Sequence, residues 1–342
     1  MNEKRIRNHL TKHFIEWVNS ITDPVVKDVA MNNTFITGGA IASLLNNEQP
    51  NDYDIYCKDK ATTKLIAQYY VDEFNRRNES TGGTINKIGY HTQAFVLDGA
   101  TREDDIRSSP EGWDWNSAML QLNEDQIKII IRSDGVKAAS GDEDSLNTMD
   151  DKDIIDVIDE ADEIPESELE NATSKKDRVS YRVLYLSPNA ITLSDKIQIV
   201  IRFYGEPAEI HSNYDFIHCT NYWTYSEYKD PRSLVINKDA MVSLHNKQLK
   251  YVGSKYPLST LIRLRKFYKR EWTISAGQIV KIAYQLSEFD LTDPVVLEDQ
   301  LVGIDTAYFL QLISSLQSDM ESEDFEFSND YFFSLIDKIF GE

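Results

Sequence analysis

Gly38 and Gly39 stand between a β-prone run, Thr34-Phe35-Ile36-Thr37, and a helix-prone run, Ala40–Leu45, and Asp52-Tyr53-Asp54-Ile55 follows after twelve intervening residues. Few arrangements satisfy all of these demands at once. Two glycines between a strand and a helix let the backbone bend sharply. They also let a large anion approach closely, with the amide donors of a helix start aimed at it. Asp52 and Asp54 are two residues apart at a strand predicted over Tyr53–Cys57, so both carboxylates share one face. Tyr53 and Ile55 point the other way and anchor the strand in a core. Paired carboxylates make a hard, oxygen-rich site of the kind that takes Mg²⁺ or Mn²⁺ together with phosphate oxygens.

The pattern around this string predicts alternating helices and strands. Ile6, Leu10, Phe14, Trp17 and Ile21 recur at helical spacing, which predicts an amphipathic helix over 3–22. Asp23-Pro24 closes it and opens a second helix over 24–31. A strand at 34–37, a helix at 40–45, a strand at 53–57 and a helix at 60–77 follow. Further strands are expected at 94–98, 117–122, 127–132, 181–186 and 197–203. A helical turn is expected at 206–213 and an extended segment at 214–223. Beyond residue 233 the periodicity is helical, with helices at 237–246, 257–270, 275–287, 306–318 and 329–340. The expected architecture is α+β: a mixed sheet with flanking helices over 1–228, then an α-helical domain over 229–342.

Charge narrows the function classes. The 342 residues carry a net charge of −21, which argues against a broad electrostatic footprint on nucleic acid. The charge is uneven, because residues 133–178 hold sixteen Asp/Glu against five Lys/Arg, a net of −11. That segment reads as a solvated acidic insertion, a mobile flap or an arm that covers a basic helix. Lys255, Arg263, Arg265, Lys266, Lys269 and Arg270, with Tyr256, Phe267, Tyr268 and Trp272, form the main basic cluster. On a helix it presents a face for phosphates or solvent, and its aromatics could stack a base. Two cysteines, Cys57 and Cys219, exclude a disulfide framework and a structural zinc site. His9 with His13, and His211 with His218, fit ordinary hydrogen-bonded histidines better than metal ligands. The apolar runs are too short to span a bilayer, and the start of the chain lacks the features of a signal peptide, so a cytoplasmic location is expected. No Gly-x-Ser-x-Gly, P-loop or Rossmann string is present.

Gly-Gly followed by Asp-x-Asp between apolar residues resembles the signature of the DNA polymerase beta nucleotidyltransferase superfamily. The string GGAIASLLNNEQPNDYDIY is similar especially to the head of tRNA CCA-adding enzymes and bacterial poly(A) polymerases. Residues 197–203, Tyr214-Asp215-Phe216-Ile217 and the neck-like stretch 257–273 extend the likeness. The resemblance implies a metal-dependent transfer of a nucleoside monophosphate from a nucleoside triphosphate to a hydroxyl, an RNA 3′ end first among acceptors. It implies Mg²⁺ or Mn²⁺ on Asp52 and Asp54, and Gly38 and Gly39 around the phosphates. Lys196, Arg202, Arg263 and Arg265 become candidate nucleotide contacts. The sequence departs from the superfamily at two places. Ala42-Ser43 stands where Arg-Asp is usual, and Gln198 stands where the third carboxylate is expected on the strand 197–203. Asp215 or Glu209 could replace it, and Asp215 serves equally well as a structural link. The acid and Arg by which CCA-adding enzymes select bases are not visible. A large-bacteriophage origin fits the overall character of the chain. The rival reading is a viral binding or structural protein that keeps the fold without the chemistry.

Overall fold

The computed structural model describes residues 2–80, 92–100, 123–133, 181–187, 189–225, 230–291, 293–300 and 334. The described residues fall into two compact units. The first draws on described residues within 2–133, 181–211 and 219–240, and the second on those within 212–218 and 241–300.

In the first unit, α1 (Glu3–Ser20) starts at Asn2, whose side chain accepts the Arg5 amide, and buries Ile6, Leu10, Phe14, Trp17 and Val18. The stripe is the predicted one. Each of these large side chains contributes about 1.5–3 kcal/mol on leaving water. Trp17 keeps its indole N–H satisfied by donating to the Tyr70 hydroxyl at 2.8 Å. Asp23 caps α2 (Pro24–Asn33), accepting from the amides of Val25 and Val26, with proline at the first helical position, where no amide is needed. Strand β1 (Thr34–Thr37) leads into α3 (Gly39–Leu45), then β2 (Tyr53–Cys57) and α4 (Lys60–Ser80). Strands β3 (Thr92–Asp98) and β4 (Ile127–Ser133) form a separate antiparallel pair. Asn75 of α4 fastens that pair, bonding both the amide and the carbonyl of Ala94 at 2.8 Å.

Strands β5 (Val183–Leu186), β6 (Ala190–Leu193), β7 (Ile197–Tyr204), β8 (Tyr222–Thr224) and β9 (Leu234–Val235) complete a seven-stranded sheet ordered β5-β6-β7-β2-β1-β8-β9. The sheet is mixed: β2 and β7 are parallel, and the other neighbours are antiparallel. One face carries Ile36, Ile55, Ile191, Ile197, Ile199 and Trp223 into the same core as the buried sides of α1, α2 and α4. A short helix, α5 (Pro207–Ser212), follows β7.

The second unit holds most of a 3-10 turn at Ile217–Cys219 and most of α6 (Lys238–Asn246), together with α7 (Pro257–Lys269), α8 (Ala276–Leu286), α9 (Pro294–Gln300) and a two-stranded parallel ribbon, β10 (Gln248–Leu249) with β11 (Thr273–Ile274). His218 packs its ring against Phe216, Phe267 and Trp272 there, with centroids 4.5 Å apart for the Trp272 pair.

Three local expectations need correction. The extended segment expected at 214–223 is a strand only at Tyr222–Thr224. Upstream, Phe216 pairs with Tyr251, and the Ile217 amide donates to the Lys250 carbonyl, which ends the extended run in a 3-10 turn. Strand β6 joins the sheet although its four residues leave too short an alternation to read from sequence. Helix α9 was not expected at all. The strand expected at 117–122, the acidic segment 134–178 and the helices at 306–318 and 329–340 lie outside the described residues. Among the described residues no helix is long and apolar enough to cross a membrane.

Candidate functional site

The register of the sheet builds the site. Thr37 on β1 lies opposite Asp54 on β2, and Asp54 lies opposite Gln198 on β7. Thr192 on β6 is opposite Gln198, and Tyr222 on β8 is opposite Thr37. Residues directly opposite one another in a sheet share a face. Tyr222, Thr37, Asp54, Gln198 and Thr192 therefore form one polar row across five strands. Thr37 is fully buried, while the other four are partly open.

Gly38 ends this row at β1. Its backbone sits at φ 89°, ψ −147°, a conformation open to glycine and strained for other residues. It begins α3 without any side-chain capping bond. At Gly39 a Cβ would meet nothing within 4 Å, so the space beside the turn is open. The two glycines thus leave room for a bulky anion next to the carboxylate row.

Asp52 is exposed and Asp54 half-buried. Desolvation, and then the charge of Asp52 beside it, hold the Asp54 carboxyl well above the usual carboxylate range. A divalent cation reverses both causes, since it replaces lost solvation and neutralises the pair. The donor set fits Mg²⁺ in the mode that uses two carboxylates and fills its remaining positions with phosphate and water. Among the described residues no group of three or more His, Cys, Asp and Glu is placed to hold a metal ion. Gln198, with a neutral amide, occupies the position beside Asp54.

The other candidates are distributed as follows. Lys196 lies in the β6–β7 hairpin turn at φ 64°; its carbonyl accepts the Tyr53 amide at 2.6 Å, and its Nζ is 3.4 Å from the Pro50 carbonyl. The backbone of Lys196 is therefore adjacent to the aspartate strand. Arg202 reaches Asn189 Oδ1 at 3.4 Å from β7. Glu209 accepts the Glu206 amide at 2.8 Å and so caps α5. In the second unit, Asp215 pairs with Arg263 (Nε to Oδ2, 2.8 Å) and accepts the Thr260 hydroxyl at 2.9 Å. Arg265 is half-buried on α7, and Lys266, Lys269 and Arg270 are exposed.

Behind β2, Tyr53 makes a 2.5 Å hydrogen bond with His9 and stacks on His13 with centroids 4.8 Å apart. Burial pushes the Tyr53 phenol up to about 12 and lowers both histidines. This cluster fixes the core side of the aspartate strand.

Sequence reasoning did not anticipate Thr37, Thr192, Tyr222 or His211 as neighbours of the site. His211 Nε2 lies 2.8 Å from Thr37 Oγ1, and that hydroxyl also donates to the Asn221 carbonyl at 2.8 Å. Burial brings His211 down to about 4. The only available signal was Thr37 itself, a polar residue just before the glycines.

Fold and site together define a class: an α+β protein whose mixed sheet carries a glycine turn and a paired-carboxylate strand at the same end of one face. The chain belongs to the Gabija anti-defense 2 family, whose model matches residues 8–247 and so spans the turn, the aspartate pair and His211. Among curated proteins no match is found. Similar solved structures include the Bacillus stearothermophilus CCA-adding enzyme in complex with CTP, at 10% identity and a TM-score of 0.34, covering 89% of this chain and 52% of that one. The Thermotoga maritima CCA-adding enzyme complexed with tRNA is 8% identical with a TM-score of 0.33, covering 92% and 57%. A further CCA-adding enzyme with CTP is 10% identical with a TM-score of 0.31, covering 96% and 61%. The chain therefore spans little more than half the length of these enzymes.

Proposed function

We propose that this protein is a metal-dependent nucleotidyltransferase that moves a nucleoside monophosphate from a nucleoside triphosphate to a hydroxyl acceptor and releases pyrophosphate. The observation that carries this reading is the Asp52–Asp54 pair placed one strand away from an open glycine turn. Asp52 and Asp54 would hold Mg²⁺ or Mn²⁺, and the backbone at Gly38 and Gly39 would receive the phosphates. When bound, a divalent ion supplies Lewis-acid activation of the acceptor hydroxyl and neutralises charge on the departing pyrophosphate. The acceptor oxygen forms the new bond to the α-phosphorus, and the bond from that phosphorus to the pyrophosphate oxygen breaks. The proton of the acceptor hydroxyl leaves to solvent as the new bond forms. Lys196 and Arg202 lie in the same unit as the aspartate pair and are candidates for phosphate contacts. Asp215 is engaged by Arg263 and Thr260, so the proposal rests on the aspartate pair without it.

An RNA 3′ end is the first acceptor to test, and membership of an anti-defense family adds the components of the Gabija defence as acceptors. The test is incubation with each labelled nucleoside triphosphate, Mg²⁺ or Mn²⁺, and either total RNA or purified Gabija components. Label transfer that disappears in the Asp52→Asn, Asp54→Asn double variant supports the enzyme. Gln198 beside Asp54 favours a second reading, a protein that binds nucleotide without turning it over. Nucleotide binding with no release of pyrophosphate would establish that reading.

A further inference from the structure

We infer that His211 is a positioning residue that anchors the glycine turn by gripping Thr37. The consequence for nucleotide handling rests on the function proposed above; the structural anchoring does not. Thr37 Oγ1 carries a single proton, and that proton goes to the Asn221 carbonyl at 2.8 Å. The 2.8 Å bond to His211 must therefore run from the imidazole Nε2–H to the hydroxyl oxygen. The ring then carries its proton on Nε2, and this nitrogen is committed to Thr37 rather than to substrate.

The turn needs such an anchor. Gly38 occupies a backbone conformation that other residues resist, has no side chain to lock it, and starts a seven-residue helix with no side-chain cap. Helices that short are marginal without outside support. Thr37 is the residue joined directly to Gly38, it is fully buried, and it lies opposite Asp54. Holding its hydroxyl from both sides fixes the start of the turn relative to the carboxylate strand. Asn221 is itself held, because its side-chain oxygen accepts the Asn237 amide at 2.9 Å. Asn237 in turn reaches the Thr220 hydroxyl at 3.0 Å. The anchor is thus tied into β8 and the segment before α6.

The experiment compares wild type with His211→Ala and His211→Gln. Glutamine can present an N–H at a reach similar to that of Nε2, whereas alanine cannot. Amide hydrogen exchange over residues 37–40 should quicken by about tenfold in His211→Ala, the loss of roughly one hydrogen bond, and return toward wild type in His211→Gln. Exchange in α1 and β7 should not change. The Kd for a Mg²⁺-bound nonhydrolysable nucleoside triphosphate should weaken by about tenfold in His211→Ala, with turnover at saturation falling less. Unchanged exchange over 37–40 in His211→Ala, or a glutamine variant no better than alanine, overturns the anchor. A wild-type protein that binds no nucleotide overturns the function proposed above, while the exchange arm still decides the anchor.

Discussion

Adjacent rows of the same five strands meet opposite fates. Trp223, Ile36, Ile55, Ile199 and Ile191 stand opposite one another and are at most 1% exposed. One residue further along, Tyr222, Thr37, Asp54, Gln198 and Thr192 face the other way and carry polar groups. The apolar row stabilises the fold by leaving water. The polar row contains a carboxyl whose ionisation the fold resists, so it contributes nothing of the kind. A group that works against stability, next to a glycine turn, is the reason the proposed function is assigned to this face.

The sharpest way to break the comparison is to cut into the apolar row. Ile55→Ala should cost about 2–5 kcal/mol, read as a lower urea midpoint with an unchanged slope. A loss below about 1 kcal/mol would mean the row is not the core described. Thr37→Val comes next. It keeps the shape but deprives His211 Nε2 and the Asn221 carbonyl of their shared hydroxyl, at a cost of about 1–3 kcal/mol in the same melt.

Asp54→Asn should move stability the other way. In the fold Asp54 keeps its proton to higher pH than its ordinary 3.8, so the folded state binds more protons above that pH. Stability then falls as pH rises until the folded pKa is passed. Asparagine removes this loss, and Tm at pH 7.5 should rise by about 1–2 °C, the shift expected for roughly 1 kcal/mol in a protein of this size. A lower Tm would show that the carboxylate supports the fold. The smallest effect concerns acid. Burial holds His211 at about 4 against an ordinary 6.5, so its contribution is complete above pH 6.5 and is lost as pH falls toward 4. After allowance for partial exposure this amounts to less than about 1 kcal/mol at pH 5.5. His211→Gln should flatten the Tm profile over that window, and an unflattened profile would place the titration elsewhere.

Much of the first unit was legible because its signals are local. The stripe Ile6, Leu10, Phe14, Trp17 has one helical solution, and Tyr53-Asp54-Ile55 alternates cleanly between core and open face. The position of Gln198 beside Asp54 also followed from recognising β7 as the partner strand. His211 was not legible, since it meets Thr37 across 174 positions of sequence, and local pattern carries no record of such a contact. The 3-10 turn at Ile217–Cys219 was missed for the same reason: its backbone partners lie near Lys250 and Tyr251.

The central claim is that Asp52 and Asp54 converge with Gly38 and Gly39 on one cation-bound triphosphate. Its most direct test is paramagnetic broadening of backbone amide signals by Mn²⁺ with a nonhydrolysable nucleoside triphosphate. Broadening centred on residues 38, 39 and 52–54, lost in the Asp52→Asn, Asp54→Asn variant, is the predicted result. Broadening that is absent, or that persists unchanged in that variant, would contradict it.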